Sequence, residues 1–281
     1  MTAISAAGQH VMPARAQAPR LMSVASSGPR APAAEPRSRS DAQLAPSPVR
    51  RGPLVAVCGL CGGAGASTLA YLIARWAALD ASGHGSPVLA LDAGGTTGGL
   101  SRYSQTESAC SLAELSEQLH TVGRPPAAIF AETPGGVRLI ATSPRPQPEF
   151  EPGLVIRVLT DAREVHGMTV VDCGTLSLPA ERLALELATH VIWVVPATDH
   201  GLGAADLSSW GGAPYDAVHV LVARQDPSAR TADTRALAAV AEARGAALVL
   251  MPRVETLDAR SLEGTLEACG LALQALATKL R

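Results

Sequence analysis

The sequence predicts an α/β protein built on one doubly wound, mainly parallel sheet of seven strands. Three observations predict it. Short apolar runs ending in Gly or Asp recur along the chain, stretches with apolar residues at helical spacing separate them, and the apolar residues are mostly Ala, Val and Leu. With 47% hydrophobic and 17% charged residues in 281, there is ample material for a buried core.

Residues 1–52 stand outside this pattern. They are rich in Pro, Ala, Ser and Arg, show no sustained periodicity, and read as a disordered leader. Residues 53–281 read as a single domain. Leu54–Cys58 is an apolar run closed by Gly59, the form of a buried parallel strand. A Gly-rich loop follows, then a helix over Ser67–Leu79 with Leu69, Leu72, Ile73 and Trp76 on one face. Val88–Leu91 is the second strand and ends at Asp92. Residues 93–108 form a loop, and 111–120 form a helix capped by Ser111 with Glu114 three residues on. The remaining strands are Val137–Ala141, Met168–Val171 (closing on Asp172), His190–Val195, Val218–Ala223 and Ala247–Met251. Helices are expected at 153–164, 179–188, 202–209, 231–244 and 261–279. The last, with Leu262, Leu266, Cys269, Leu271, Leu273, Leu276 and Leu280, is apolar enough to pack on the sheet or to meet a partner.

Charge and composition exclude several classes. The net charge of −2 argues against wholesale attraction to DNA or anionic lipid. Residues 1–53 hold seven arginines against Glu35 and Asp41, for +5, while the remainder carries −7, so any tethering to an acidic surface would fall to the leader. No stretch approaches the 18 apolar residues of a membrane span, and no apolar secretory core is present, so the chain reads as cytoplasmic. Five cysteines without regular spacing do not form a disulfide framework. Cys58 and Cys61 make a C-x-x-C, but no second such pair and no spaced histidines complete a metal site. Ser67 is not in a G-x-S-x-G elbow, which leaves a hydrolase without support.

The strongest signal is Gly59-Leu-Cys-Gly-Gly-Ala-Gly-Ala-Ser-Thr68, between the first strand and the first helix. Glycines let successive N–H groups turn inward to form an anion nest, and the helix N-terminus adds partial positive charge. Gly62, Gly63, Ala64, Gly65, Ala66, Ser67 and Thr68 are therefore the candidate phosphate-binding residues. Ser67 stands where a hydroxyl ligates Mg²⁺, with Asp92 and Asp172, both at strand ends, as the matching carboxylates. Each Asp could equally cap the turn that follows its strand.

The loop resembles the deviant Walker A motif of the MinD/ParA group, K-G-G-x-G-K-[ST]-T, aligned on Cys61 to Thr68. Within that group, Gly62–Leu69 is similar to the CpaE-like or TadZ-like proteins, also labelled septum-site-determining. Val88–Leu100 resembles their second strand and following loop, Met168–Asp172 with Gly174 their Walker B strand, and His190–Pro196 the strand after it. The resemblance spans roughly 54–260. It implies a P-loop domain that binds ATP with Mg²⁺, a homodimer closing over the nucleotide, and pilus-assembly, secretion or division proteins as partners. It also implies a place at a pole, a septum or the inner face of the membrane.

This chain departs from the pattern where the chemistry lies. Both motif lysines are replaced, by Cys61 and Ala66, and the only lysine in the chain is Lys279. The second acid of the family's D-x-D falls at Gly94, and the asparagine that reads adenine at Ala223, before Arg224. Loss of an oriented cation removes much of the charge neutralisation on which phosphoryl transfer depends. The expectation is weak ATP binding with little or no hydrolysis. A working ATPase would need a cation from a partner or from an arginine. Arg102 is the better candidate, because Arg75 is read as facing solvent or acidic neighbours. A DNA-partitioning protein is a further alternative, against which the acidic domain speaks.

Overall fold

The computed structural model describes residues 51–81, 87–93, 99–100, 103, 112, 115, 121, 131–133, 135–141, 151–225, 232–254 and 262–280. The helix expected at 111–120, the leader and Arg102 lie outside the described residues, apart from Leu112, Leu115 and Arg51 to Gly52. The described residues form one compact unit.

All seven expected strands are present: β1 (Leu54–Gly59), β2 (Val88–Asp92), β4 (Val137–Ile140), β5 (Met168–Asp172), β6 (His190–Pro196), β7 (Val218–Arg224) and β8 (Ala247–Met251). An eighth, β3 (Ala131–Glu132), adds an antiparallel edge on β4. The order is β3-β4-β2-β5-β1-β6-β7-β8, and every pair except β3–β4 is parallel. A two-residue strand is too short to show alternation, which is why the sequence did not reveal it.

The described helices are α1 (Ala66–Ala81), α2 (Pro152–Val165), α3 (Pro179–Glu186), α4 (Asp199–Leu207), α5 (Thr234–Ala243), α6 (Leu262–Ala268) and α7 (Gly270–Lys279). The single terminal helix expected over 261–279 is thus two helices meeting at Cys269. The hydrogen bonds Cys269 N–H to Thr265 O and Leu273 N–H to Cys269 O, both 2.9 Å, carry the chain across the junction. Gly270, a poor helix former, stands at the break. Starts not marked in the sequence reading are set by caps: Thr198 Oγ1 accepts from Gly201 N–H at 3.2 Å and Asp233 Oδ1 from Arg235 N–H at 2.9 Å.

The alternation of β1 shows how the layers form. Leu54, Ala56 and Cys58 join one core with α2, α3, α4 and α5, whereas Val55 and Val57 join a second core with α1, α6 and α7. Every residue of β1 is buried, as expected of a central parallel strand covered on both faces. Leu262 and Leu266 of α6, Leu273 and Leu276 of α7 and Leu280 just beyond it are buried in the core on the sheet, whereas Leu271 is outward. Among the described residues no helix is long and apolar enough to cross a membrane.

Candidate nucleotide-binding site

The site lies at the carboxyl ends of the central strands, where ligands bind in open α/β sheets. β1 delivers the loop, and two backbone hydrogen bonds fix its start: Gly59 N–H to Gly174 O at 2.6 Å and Leu60 N–H to Val194 O at 3.0 Å. Gly63 (φ 72°) and Gly65 (φ 93°) then take left-handed conformations that side chains resist, which curls the backbone into the N-terminus of α1. Gly62 and Gly63 are exposed on the open side, and Ala64 turns its methyl into the α1 core. The first intrahelical bond is Leu69 N–H to Gly65 O at 3.0 Å, so the N–H groups of Ala66, Ser67 and Thr68 have no acceptor within the helix. Ala66, in the place of the lysine, is buried by its neighbours and offers no charge.

The predicted carboxylates come together. Asp92 and Asp172 are register partners at the ends of β2 and β5, and both are buried. Asp172 Oδ1 accepts from Gly174 N–H at 3.1 Å, and the carboxylate is hydrogen-bonded to the Ser67 side chain. Burial pushes its pKa up, and these two hydrogen bonds only partly offset that effect. Asp92 Oδ2 accepts from Leu100 N–H at 3.3 Å, which ties the segment after β2 back to the sheet. Gly99 then crosses directly over Ser67. A Cβ there would collide with the Ser67 side chain and lie 2.8 Å from Asp172 Oδ2, so glycine keeps this cradle open. The Ser67 side chain on Asp172, with Asp92 as that carboxylate's register partner, is an oxygen donor set that suits Mg²⁺. Thr68, by contrast, spends its hydroxyl on Tyr103 at 2.8 Å, and Tyr103 stacks on Tyr71 of α1.

Three features went unread in the sequence. Glu181, on α3, is a third buried carboxylate beside this cluster. It accepts from Leu178 N–H at 2.9 Å and from Ser177 Oγ at 3.4 Å. Burial raises its pKa, those bonds pull it back, and Asp172 adds a smaller upward push. Its signal was local: Pro179 and Glu181 occupy the first and third positions of the helix, as N-terminal turns favour. Leu176, in the loop after Asp172, has φ 60°, rare for a leucine, and Arg182 Nε holds its carbonyl at 3.0 Å. Arg224, at the end of β7, donates from Nη2 to Gly63 O at 2.9 Å, although the two residues are 161 apart in sequence.

One sequence reading changes here. Arg75 does not face solvent: it is 7% exposed and donates to the Gly135 carbonyl in the β3–β4 turn. α1 is covered by β1, β2, β4 and β5 below and by α7 beside it, leaving little outward face. Of the C-x-x-C, which the sequence did not support as a metal site, Cys58 is buried in β1 and Cys61 is half-exposed on the loop. Cys58 lies instead beside Cys173, whose thiol is pushed well up by that neighbour's hydrogen bond and then by burial. Among the described residues no three His, Cys, Asp or Glu cluster as a metal site of their own.

No protein-family model matches the sequence, and no curated protein is significantly similar to it. Solved structures are similar. A ParA family ATPase from Chlorobium tepidum aligns with a TM-score of 0.58 at 17% identity, covering 82% of this chain and 93% of its own. The cell division ATPase MinD of Pyrococcus furiosus aligns with a TM-score of 0.58 at 17% identity, covering 82% of this chain and all of its own. The fold is that of the MinD/ParA P-loop ATPases. Cobyrinic acid a,c-diamide synthase from Mycobacterium smegmatis, solved with ADP and magnesium, shares this P-loop fold with a TM-score of 0.55 at 20% identity over 80% of this chain and 94% of its own.

Proposed function

We propose that this chain is a degenerate MinD/ParA-like P-loop protein that binds nucleotide and hydrolyses it slowly or not at all. One observation carries the reading: the cradle keeps its glycines, its first-turn N–H groups and the Ser67–Asp172 pair, while Ala66 fills the lysine position. The N–H groups around Gly63, Gly65 and Ala66 would hold the phosphates, and Ser67, Asp92 and Asp172 would hold Mg²⁺. Bound Mg²⁺ supplies charge neutralisation at the phosphates. Nothing described on that flank replaces the lysine's charge on the transferring group, and the acid at the second position of D-x-D is Gly94.

By its loop sequence, the protein's work is to mark a position or assist assembly, in the manner of CpaE-like and TadZ-like proteins at a Tad-type pilus, secretion apparatus or septum. Its partners would be proteins of that apparatus, and a second copy of this chain. Steady-state phosphate release with ATP·Mg²⁺ tests the chemistry: background turnover is expected, and turnover at the level of an ordinary MinD/ParA ATPase would overturn the reading. A fluorescent fusion at native expression tests the placement, with discrete polar or septal foci expected and uniform fluorescence counting against it.

A further inference from the structure

The loop has a cation, on the flank away from the carboxylates. Arg224 closes β7, where its carbonyl accepts from Ala197 N–H at 2.7 Å and the next residue, Gln225, donates to Met251 O at 2.8 Å. From this fixed base the side chain crosses to the loop. Nη2 donates to Gly63 O at 2.9 Å, and Nη1 lies 2.8 Å from where a Cβ on Gly65 would sit. Among the described residues no carboxylate forms an ion pair with Arg224. A guanidinium has five N–H donors, so donors remain after the bond to Gly63.

The sheet order decides which part of a bound nucleotide this cation could meet. Asp172 and Asp92 stand on β5 and β2, to one side of β1, whereas Arg224 stands on β7, two strands to the other side. Metal ions in such sites bridge the β- and γ-phosphates. The γ end therefore belongs with Ser67 and Asp172, and the sugar end lies toward β7. We propose that Arg224 is the anchoring cation of the site: it braces the loop through Gly63 and binds the phosphate nearest the sugar. The site then takes nucleoside diphosphates and triphosphates alike. Ala223, next to it, has no polar group with which to read a base edge. This inference rests on the reading that the loop binds nucleotide, and adds which nucleotides it holds and through which residue. Arg224 is a positioning and specificity residue here, with no part in moving the γ-phosphoryl group.

Fluorescence titration of the full-length protein with N-methylanthraniloyl ADP and ATP, with Mg²⁺ present, tests it. The wild-type affinities for the two should agree within about threefold, since among the described residues no cationic side chain awaits the third phosphate. Arg224→Ala should weaken both by the same factor, about tenfold or more, as expected for a lost charge-assisted hydrogen bond, and Arg224→Lys should recover part of the loss. A purely structural brace would lower the melting temperature of Arg224→Ala, and Lys, which lacks the planar fork, would not restore binding. ATP bound more than about tenfold tighter than ADP by the wild type overturns the proposal, as does an Arg224→Ala variant with unchanged affinity, or retention of neither nucleotide. The wild-type ratio decides even if Arg224→Ala fails to fold. Rapid turnover would remove the proposed function while leaving equal ADP and ATP affinities standing.

Discussion

The two flanks of the phosphate loop carry opposite charge. On the β2–β5 side, Asp92 and Asp172 are buried as register partners, with the Ser67 side chain hydrogen-bonded to Asp172 and the buried Glu181 beside Asp172. On the β7 side, a single guanidinium rests on the loop backbone. In an ordinary P-loop the lysine places positive charge at the β/γ end. Here Ala66 stands at that position, and the guanidinium of Arg224 rests on the opposite side of the loop.

Ala66→Lys is the sharpest test of that contrast and carries the largest expected effect. A lysine there would return positive charge to the acidic flank and should make ATP bind about tenfold to a hundredfold tighter than ADP in calorimetric titration. Equal affinities in this variant would mean that the flank does not face the third phosphate. Gly99→Ala comes next. Its Cβ would press on Ser67, so overpacking should cost about 1–3 kcal/mol in chemical denaturation and weaken Mg²⁺-dependent nucleotide binding beyond that. Unchanged stability would show that the segment after β2 does not seal the acidic flank.

On the other flank, Gly65→Ala should cost about 1–2 kcal/mol, because φ 93° disfavours a side chain and Nη1 of Arg224 occupies its space. The double variant Gly65→Ala/Arg224→Ala should recover part of that loss, and strict additivity would argue against the contact. The smallest effect concerns pH. Burial raises the Asp172 pKa above its unfolded value, so this carboxyl contributes stability below the ordinary carboxyl range that is lost as pH rises through the folded pKa. Asp172→Asn removes that dependence, and its melting temperature relative to wild type should climb as pH rises above the ordinary carboxyl range. A difference that is flat with pH would show that Asp172 is solvated.

The sheet was legible because each strand announces itself locally. Runs such as Leu54–Cys58 and Val191–Val195 are apolar throughout, and their lengths admit strands but not helices. The loop, Ser67, Asp92 and Asp172 were legible for a related reason, since a strand end followed by Gly or Asp is a local pattern. Contacts between distant segments were not. Nothing near Arg224 says that its side chain reaches Gly63, and nothing near Gly99 says that it crosses Ser67. Arg75 was misread because helical periodicity distinguishes one buried face from one exposed face and cannot foresee a helix covered by four strands and a neighbour. Glu181 could have been found from its place in the first turn of α3, but its nearness to Asp172 depends on the packing of α3 against the β5 loop.

Cys58 and Cys173 sit fully enclosed, one at the root of the phosphate loop and the other directly after Asp172. A thiol reagent can reach them only when the strand ends carrying that loop come apart. Their alkylation therefore offers a built-in clock for local opening, read without an introduced probe, and a nucleotide that grips the loop should slow it.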